Sequence, residues 1–238
     1  MLAAMTTQMM QRAENRSIAA PPAVAVQRKA AEVDPLARFG TVVTLNSGEA
    51  LFVEGDEAAY YYKVVSGAIR SYTLMPDGRR QIADFFVAGD FFGLTDHAVQ
   101  SLAAEAITAA NLVRYRRHSV DEQAVSQPAL ARYLLDIACA NLAAARHQMV
   151  LLGRKTAEER IASFLLTLFE RIGRVEREEE IIDLPMSRTD IADHLGLSTE
   201  TVSRTFTSLA RRGLLSLPNA QTVVLCDREA LQDIGAGF

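Results

Sequence analysis

The sequence has no tryptophan and only two cysteines, Cys139 and Cys226. They lie far apart and form neither a CxxC pair nor a Cys/His cluster, which excludes the usual iron–sulfur and zinc ligand patterns and fits a reducing cytoplasm. Long apolar runs are also missing. None approaches the roughly 18 consecutive apolar residues of a membrane span. The first residues, MLAAMTTQMMQRAENR, lack a basic start and an apolar core, so a secretion signal is not expected. No phosphate-cradling glycine loop and no nucleophile–base pattern stands out. No catalytic residue, cofactor or metal site is assigned, and an enzyme is not expected. An excess of positive charge is absent as well. Lys and Arg number 25 against 29 Asp and Glu, a net charge of −4. Bulk electrostatics therefore give no support for a polyanionic partner, and any such case must come from the placement of a few groups.

What is present falls into four stretches. Residues 1–34 carry Ala, Gln, Met and Pro21-Pro22 with weak periodicity, the composition of a flexible N-terminal segment. Residues 35–119 alternate short apolar runs (VVTL, ALFVEG, YYYKVVSG, AIRSYTL, QIADFFVAGD) with turn signals such as Asn46-Ser47-Gly48 and Met75-Pro76-Asp77-Gly78. That texture predicts an antiparallel all-β unit, a roll or jelly roll. Asp84, Asp90 and Asp96 fit as turn aspartates of that unit. Residues 120–153 turn helical. Leu130, Leu134, Ile137, Leu142, Ala145, Met149 and Leu152 recur at about 3.5 residues, and small Ala138 and polar Asn141 lie among them. A helix of about 24 residues would run about 36 Å. Its stripe of Leu130, Leu134, Ile137, Ala138, Asn141, Ala145, Met149 and Leu152 fits either the seam of a two-chain coiled coil or a face packed on the chain's own β-unit. Cys139, inside this helix, is expected to pack as a small hydrophobe.

Residues 154–238 hold the most specific pattern. Lys155–Gly173 reads as an amphipathic helix capped by Thr156 with Glu159 three residues on. Arg174–Glu180 reads as a solvated charged loop. In PMSRTDIADHLGLSTETVSRTFTSLARRGLL, Ser187 is placed as an N-cap and Asp190 follows at capping distance. Ile191 and Leu195 share a face, Ala192 allows a close crossing, and Gly196 ends the helix. Ser198 caps a second helix whose buried face is Val202, Phe206 and Leu209. Two short helices about a glycine turn make a helix-turn-helix. At the start of the second helix, Thr199, Glu200, Ser203 and Arg204 are exposed where such a helix meets base edges in the major groove. Arg204 suits guanine O6 and N7, Glu200 suits a cytosine amine, and the hydroxyls serve either role. Ser187 and Arg188 are placed for phosphates. Four arginines oppose three acids from Pro185 to Ser216, so specificity rests on these placed groups. LLSLPNAQTVVL then reads as a hairpin wing, and DREALQDIG as a short last helix.

The order β-roll, long helix, winged helix-turn-helix, with Glu200, Ser203 and Arg204 in LSTETVSRTFTSL, resembles the CRP/FNR superfamily of bacterial regulators over about residues 35–235, and its FixK-like branch in particular. The fold class expected is α+β: an antiparallel β-roll like that of cyclic-nucleotide-binding domains, a dimerisation helix and a winged helix-turn-helix. The resemblance implies a cytoplasmic homodimer that binds double-stranded DNA at a palindrome like TTGA…TCAA and activates transcription with RNA polymerase. The genes it implies are those of microaerobic life, nitrogen fixation or denitrification. The alternative is a regulator of the same fold gated by a cyclic nucleotide, haem or nitric oxide. The cysteine cluster of the oxygen-sensing relatives is missing, and no arginine lies between Arg80 and Arg114 to hold a nucleotide phosphate. His97, His118, His147 and His194 are scattered. Cys226, after the wing strand, is a candidate redox site.

Overall fold

The computed structural model describes residue 36, residues 40–95 and residues 97–237. The segment 1–34 and Asp96 lie outside the described residues. The chain begins with eight strands: β1 (Gly40–Leu45), β2 (Ala50–Phe52), β3 (Tyr60–Ser66), β4 (Ala68–Leu74), β5 (Arg80–Val87), β6 (Phe91–Phe92), β7 (Ala103–Ala106) and β8 (Ala110–Arg116). They form two four-stranded antiparallel sheets, ordered β1-β8-β3-β6 and β2-β7-β4-β5. The predicted roll is therefore present, with its glycine corners. The tightest is Gly67, at φ +82, where an added Cβ would lie 2.4 Å from the Ala109 carbonyl oxygen.

Alternation along the strands sorts the roll's side chains onto two faces. On β3, Tyr62 and Val64 join Leu45, Ile69, Phe92 and Leu112 between the sheets. Tyr61 points the other way, with Phe91 and Tyr115, toward the helices that follow. On β5 the alternation is broken. A bulge opposite Ser71 and Tyr72 puts an extra residue into β5. Ile82 and Phe85 thereby leave the roll interior and join the core of the C-terminal unit, whereas Phe86 packs against the roll's own core.

The helical stretch is two helices, α1 (Arg117–Ser126) and α2 (Pro128–Arg154). The break follows from Pro128, which disfavours helical backbone at Gln127; that residue is extended, at φ −123 and ψ 92. The expected stripe on α2 divides. Leu130 and Ile137 are buried against the roll and Leu134 packs partly there. Leu152 packs partly on the C-terminal core. Asn141 is half-buried, while Ala138, Ala145 and Met149 are exposed. Cys139 is exposed rather than packed, because the inward face of α2 passes through Leu130, Ile137 and Ala140 instead.

The C-terminal unit continues with α3 (Ala157–Ile172), β9 (Arg174–Glu176), β10 (Glu179–Asp183), α4 (Arg188–Leu195), α5 (Thr199–Arg211), β11 (Leu215–Ser216), β12 (Thr222–Leu225) and α6 (Arg228–Ala236). Its sheet runs β11-β12-β10-β9. The capping box of α3, Thr156 with Glu159, forms as expected. The charged run after α3 is a hairpin and not a loop. Its turn residues Arg177 and Glu178 take φ +50 and +72, a left-handed pair ordinarily supplied by Asn and Gly.

Candidate nucleic-acid interface

Each helix of the α4–α5 pair starts on a side-chain cap. Ser187 Oγ accepts the Asp190 amide at 3.1 Å and donates to Asp190 Oδ2 at 2.8 Å, and the same carboxylate oxygen accepts the Ser187 amide at 3.1 Å. Ser198 Oγ accepts the Thr201 amide at 3.1 Å. Between the helices, Gly196 sits at φ +63 and ψ 41, the left-handed conformation that lets the chain turn sharply after a helix. Arg160 of α3 seals this corner, donating to the carbonyls of Leu195 at 2.8 Å, Leu152 at 2.9 Å and Lys155 at 2.9 Å. One guanidinium thus satisfies terminal carbonyls of two helices and the residue after α2.

Val202, Phe206 and Leu209 bury one face of α5, and Thr199, Glu200, Ser203 and Arg204 lie on its exposed face. Arg204 and Glu200 pair across one turn, and both side chains stay largely in solvent. Such a pair adds little stability, but it extends the guanidinium along the helix with donors to spare. Ser203 Oγ donates to the Thr199 carbonyl at 2.9 Å and Thr207 Oγ1 to the Ser203 carbonyl at 2.9 Å. With those protons committed to the backbone, the two hydroxyls present acceptor lone pairs outward. Thr207 was not singled out from the sequence; its one-turn spacing from Ser203 is the signal that would have found it.

Arg188 is placed differently from its neighbours. Its guanidinium lies 3.6 Å from the centre of the Phe206 ring, and Nη1 is buried without a hydrogen bond among the described residues. Burial lowers its pKa. Arg188 therefore joins α4 to α5 as much as it faces outward. Arg212 is engaged with Glu158, and Arg211 is exposed. Beyond α5, β11 and β12 form the expected hairpin, with Asn219 Oδ1 accepting the amides of Gln221 at 2.8 Å and Thr222 at 2.9 Å. Cys226 follows β12 as an exposed residue, its Sγ 3.8 Å from the Val224 carbonyl oxygen.

Contacts to the roll complete the setting. Arg70 and Arg80, on β4 and β5, both reach Asp190 Oδ1, at 3.0 and 2.6 Å. Arg80 Nε also donates to Asp193 at 2.9 Å. Burial works against the Arg80 charge, yet Asp193 and Asp190 raise its pKa. In the opposite sense, Arg171 of α3 reaches Asp90 and the Phe85 carbonyl of the roll, and Asp84 lies 3.7 Å away. Asp90 also accepts the Val87 amide at 2.8 Å, so it is a turn aspartate and an ion-pair partner together. His194 is buried between Phe85 and Phe164.

Aromatic rings fill much of the roll interior. Phe86 stacks on Phe92 at 4.3 Å between centroids, Tyr62 on Phe92 at 5.3 Å, and Phe52 lies 5.5 Å from Tyr62. The arginines of β4 and β5 point to Asp190, and none lies between Arg80 and Arg114 to meet a phosphate. The other histidines are dispersed, with His118 exposed beside Glu122.

A capped helix pair about a left-handed glycine, with a polar reading face and a β-wing, defines a DNA-binding transcription regulator and not an enzyme. The chain belongs to the CRP/FNR family. The model of the Crp-like helix-turn-helix domain matches residues 159–234, and that of the cyclic nucleotide-binding domain matches residues 42–126. The chain is 40% identical over 195 residues to the nitrogen fixation regulation protein FixK of Bradyrhizobium diazoefficiens, covering 82% of each chain. It is 42% identical over 210 residues to FixK of Azorhizobium caulinodans, covering 88% of this chain and 85% of that one. The solved structure of FixK2 from Bradyrhizobium japonicum matches with a TM-score of 0.78 and 40% identity, over 82% of this chain and 96% of that one. The protein is thus a FixK-like transcription activator of the CRP/FNR family.

Proposed function

We propose that the protein is a cytoplasmic homodimer that binds a palindrome like TTGA…TCAA and activates genes of microaerobic metabolism, nitrogen fixation or denitrification by recruiting RNA polymerase. The observation that carries the reading is the Glu200–Arg204 pair beside Ser203 on the open face of α5. In this reading Arg204 bonds a guanine, Glu200 accepts from a cytosine amine, and Thr199 and Ser203 contact neighbouring bases. Ser187 and Ser198, at the two helix starts, meet phosphates, with Arg188 contributing its outer edge. The relatives named as regulators of nitrogen fixation, and the "Transcriptional activatory protein AadR" of Rhodopseudomonas palustris at 39% identity, support the gene class and the direction of control.

Dimerisation is assigned to the open side of α2. Leu135, Ala138, Leu142, Ala145 and Met149 recur at alternating three- and four-residue steps and are exposed, and half-buried Leu152 continues the row. This is the heptad pattern of a two-stranded coiled coil. Leu130 and Ile137 serve the roll instead. The aromatic filling of the roll supports activity without a cyclic nucleotide.

The test is a binding series on duplexes carrying TTGA…TCAA and single-base changes in it. The reading expects tight, salt-dependent binding that weakens when the guanine is replaced. Equal affinity for every duplex would refute it.

A further inference from the structure

The contact between the roll and α4 is built around one carboxylate with two tasks. Asp190 is 4% exposed. Its Oδ2 caps the helix through Ser187, and its Oδ1 takes both Arg70 and Arg80. Arg70 is itself braced by Glu105 at 2.6 Å. The link joins residues 110 and 120 positions apart in the chain. A buried carboxylate needs such partners, since an unpaired buried charge is strongly disfavoured. Arg171 forms a second link of reversed polarity, from the C-terminal unit to Asp90 and Asp84 of the roll. Between the two links sit Ile82 and Phe85 in the shared core. A rotation of the C-terminal unit, with its helix-turn-helix, against the roll would break ion pairs of both polarities at once. No hydrogen bond or ion pair among the described residues joins either roll arginine to Thr199, Glu200, Ser203 or Arg204, so the link acts on where α4 and α5 stand and not on the reading groups.

We propose that Arg80 and Arg70 are positioning residues for DNA reading: by holding Asp190 and Asp193 they fix the helix-turn-helix relative to α2, and so set the half-site spacing that the dimer accepts. The inference rests on the homodimeric, palindrome-binding reading above. Two reading helices must meet half-sites about 34–36 Å apart. A domain on a loose tether would tolerate several spacings, whereas one locked to its own roll accepts a narrow range.

The experiment is fluorescence anisotropy at fixed salt with three kinds of duplex: the palindrome, the palindrome with its spacer lengthened or shortened by one and two base pairs, and a single half-site. Wild-type protein should prefer one spacing over a two-base-pair change by about tenfold or more. The double variant R70Q/R80Q should lose most of that preference and bind the palindrome about tenfold more weakly, with half-site affinity within about twofold of wild type. The conservative variant R70K/R80K, which keeps both charges beside Asp190, should recover a good part of the spacing preference, which a merely unfolded variant would not do. Unchanged spacing preference in R70Q/R80Q would overturn the proposal. So would a half-site affinity that falls in step with the palindrome, or a palindrome affinity that rises. Wild-type protein that binds no palindrome would overturn the homodimeric reading along with it, whereas a failure confined to the variants leaves that reading standing.

Discussion

His194 Nδ1 lies 3.2 Å from the carbonyl oxygen of Ile82, 112 residues earlier in the chain. The imidazole is enclosed by Phe85 and Phe164, at 5.1 and 5.8 Å between ring centres. One neutral ring thus seals the roll against the first helix of the reading motif. Its own carbonyl holds the same junction, accepting Gln148 at 3.1 Å from α2.

Acid should loosen this junction. Burial lowers the His194 pKa below its ordinary 6.5, Asp84 and the Ile82 carbonyl oppose that shift, and Arg171 reinforces it. The unfolded chain therefore takes up the proton more readily than the folded one. Stability is full above about 6.5 and is lost as pH falls through that value toward the lower folded pKa. Denaturant midpoints measured from pH 8 to pH 5 should fall with acid in the wild type and fall less in His194→Gln. His147, also lowered by burial and by Lys155, contributes equally to both proteins. Identical slopes would show that His194 does not govern the junction.

Arg188 should matter to folding before it matters to DNA. Its stacking on Phe206 predicts that Arg188→Ala loses about 1 kcal/mol of stability. Arg188→Met should lose less, since an unbranched apolar chain still covers the ring and leaves no buried nitrogen without a partner. Thermal unfolding of the two variants decides this. Equal losses would mean that the guanidinium itself, and not its packing, stabilises the pair.

The two sides of α2 should respond to mutation in different ways. Leu135 and Leu142 are 53% and 52% exposed, so Leu135→Lys with Leu142→Lys should leave the fold intact and give a monomer by light scattering. Ile137 is 3% exposed within the chain, and Ile137→Ala should cost about 2–5 kcal/mol in unfolding free energy. A dimer that survives both lysines would place the seam elsewhere.

The turn of the motif gives a smaller, sharper effect. A Cβ at Gly196 would meet Arg160 and Leu152 only at 3.6 Å, an ordinary contact. Gly196→Ala should therefore cost about 1 kcal/mol, from the left-handed backbone alone. A loss several times larger, read from thermal unfolding, would point to a steric clash that these distances do not contain.

These features differ in how far the chain order reveals them. The helix-turn-helix was legible because its signals are local: Ser187 and Asp190, Gly196, Ser198, and the spacing of Val202, Phe206 and Leu209 all fall within one short segment. The roll was legible from its glycine turns and alternating runs. The β9–β10 hairpin was not, because Arg177 and Glu178 are unusual residues for a left-handed turn and the flanking charges hide the alternation. The faces of α2 were only half legible, since Leu and Ala recur on both sides of the helix. The junction was not legible at all. Arg70, Arg80 and Asp190 are united only by the fold, and the bulge that turns Ile82 and Phe85 out of the roll leaves no mark in the local pattern.

The reading face is the central claim, and Arg204→Ala tests it most directly. Affinity should be measured for the palindrome and for duplexes with each base pair replaced in turn, at two salt concentrations. The account predicts a loss of about 1–3 kcal/mol on the intact site, relaxed preference at one guanine, and little change in salt dependence. Unchanged affinity with the same base preferences would contradict it.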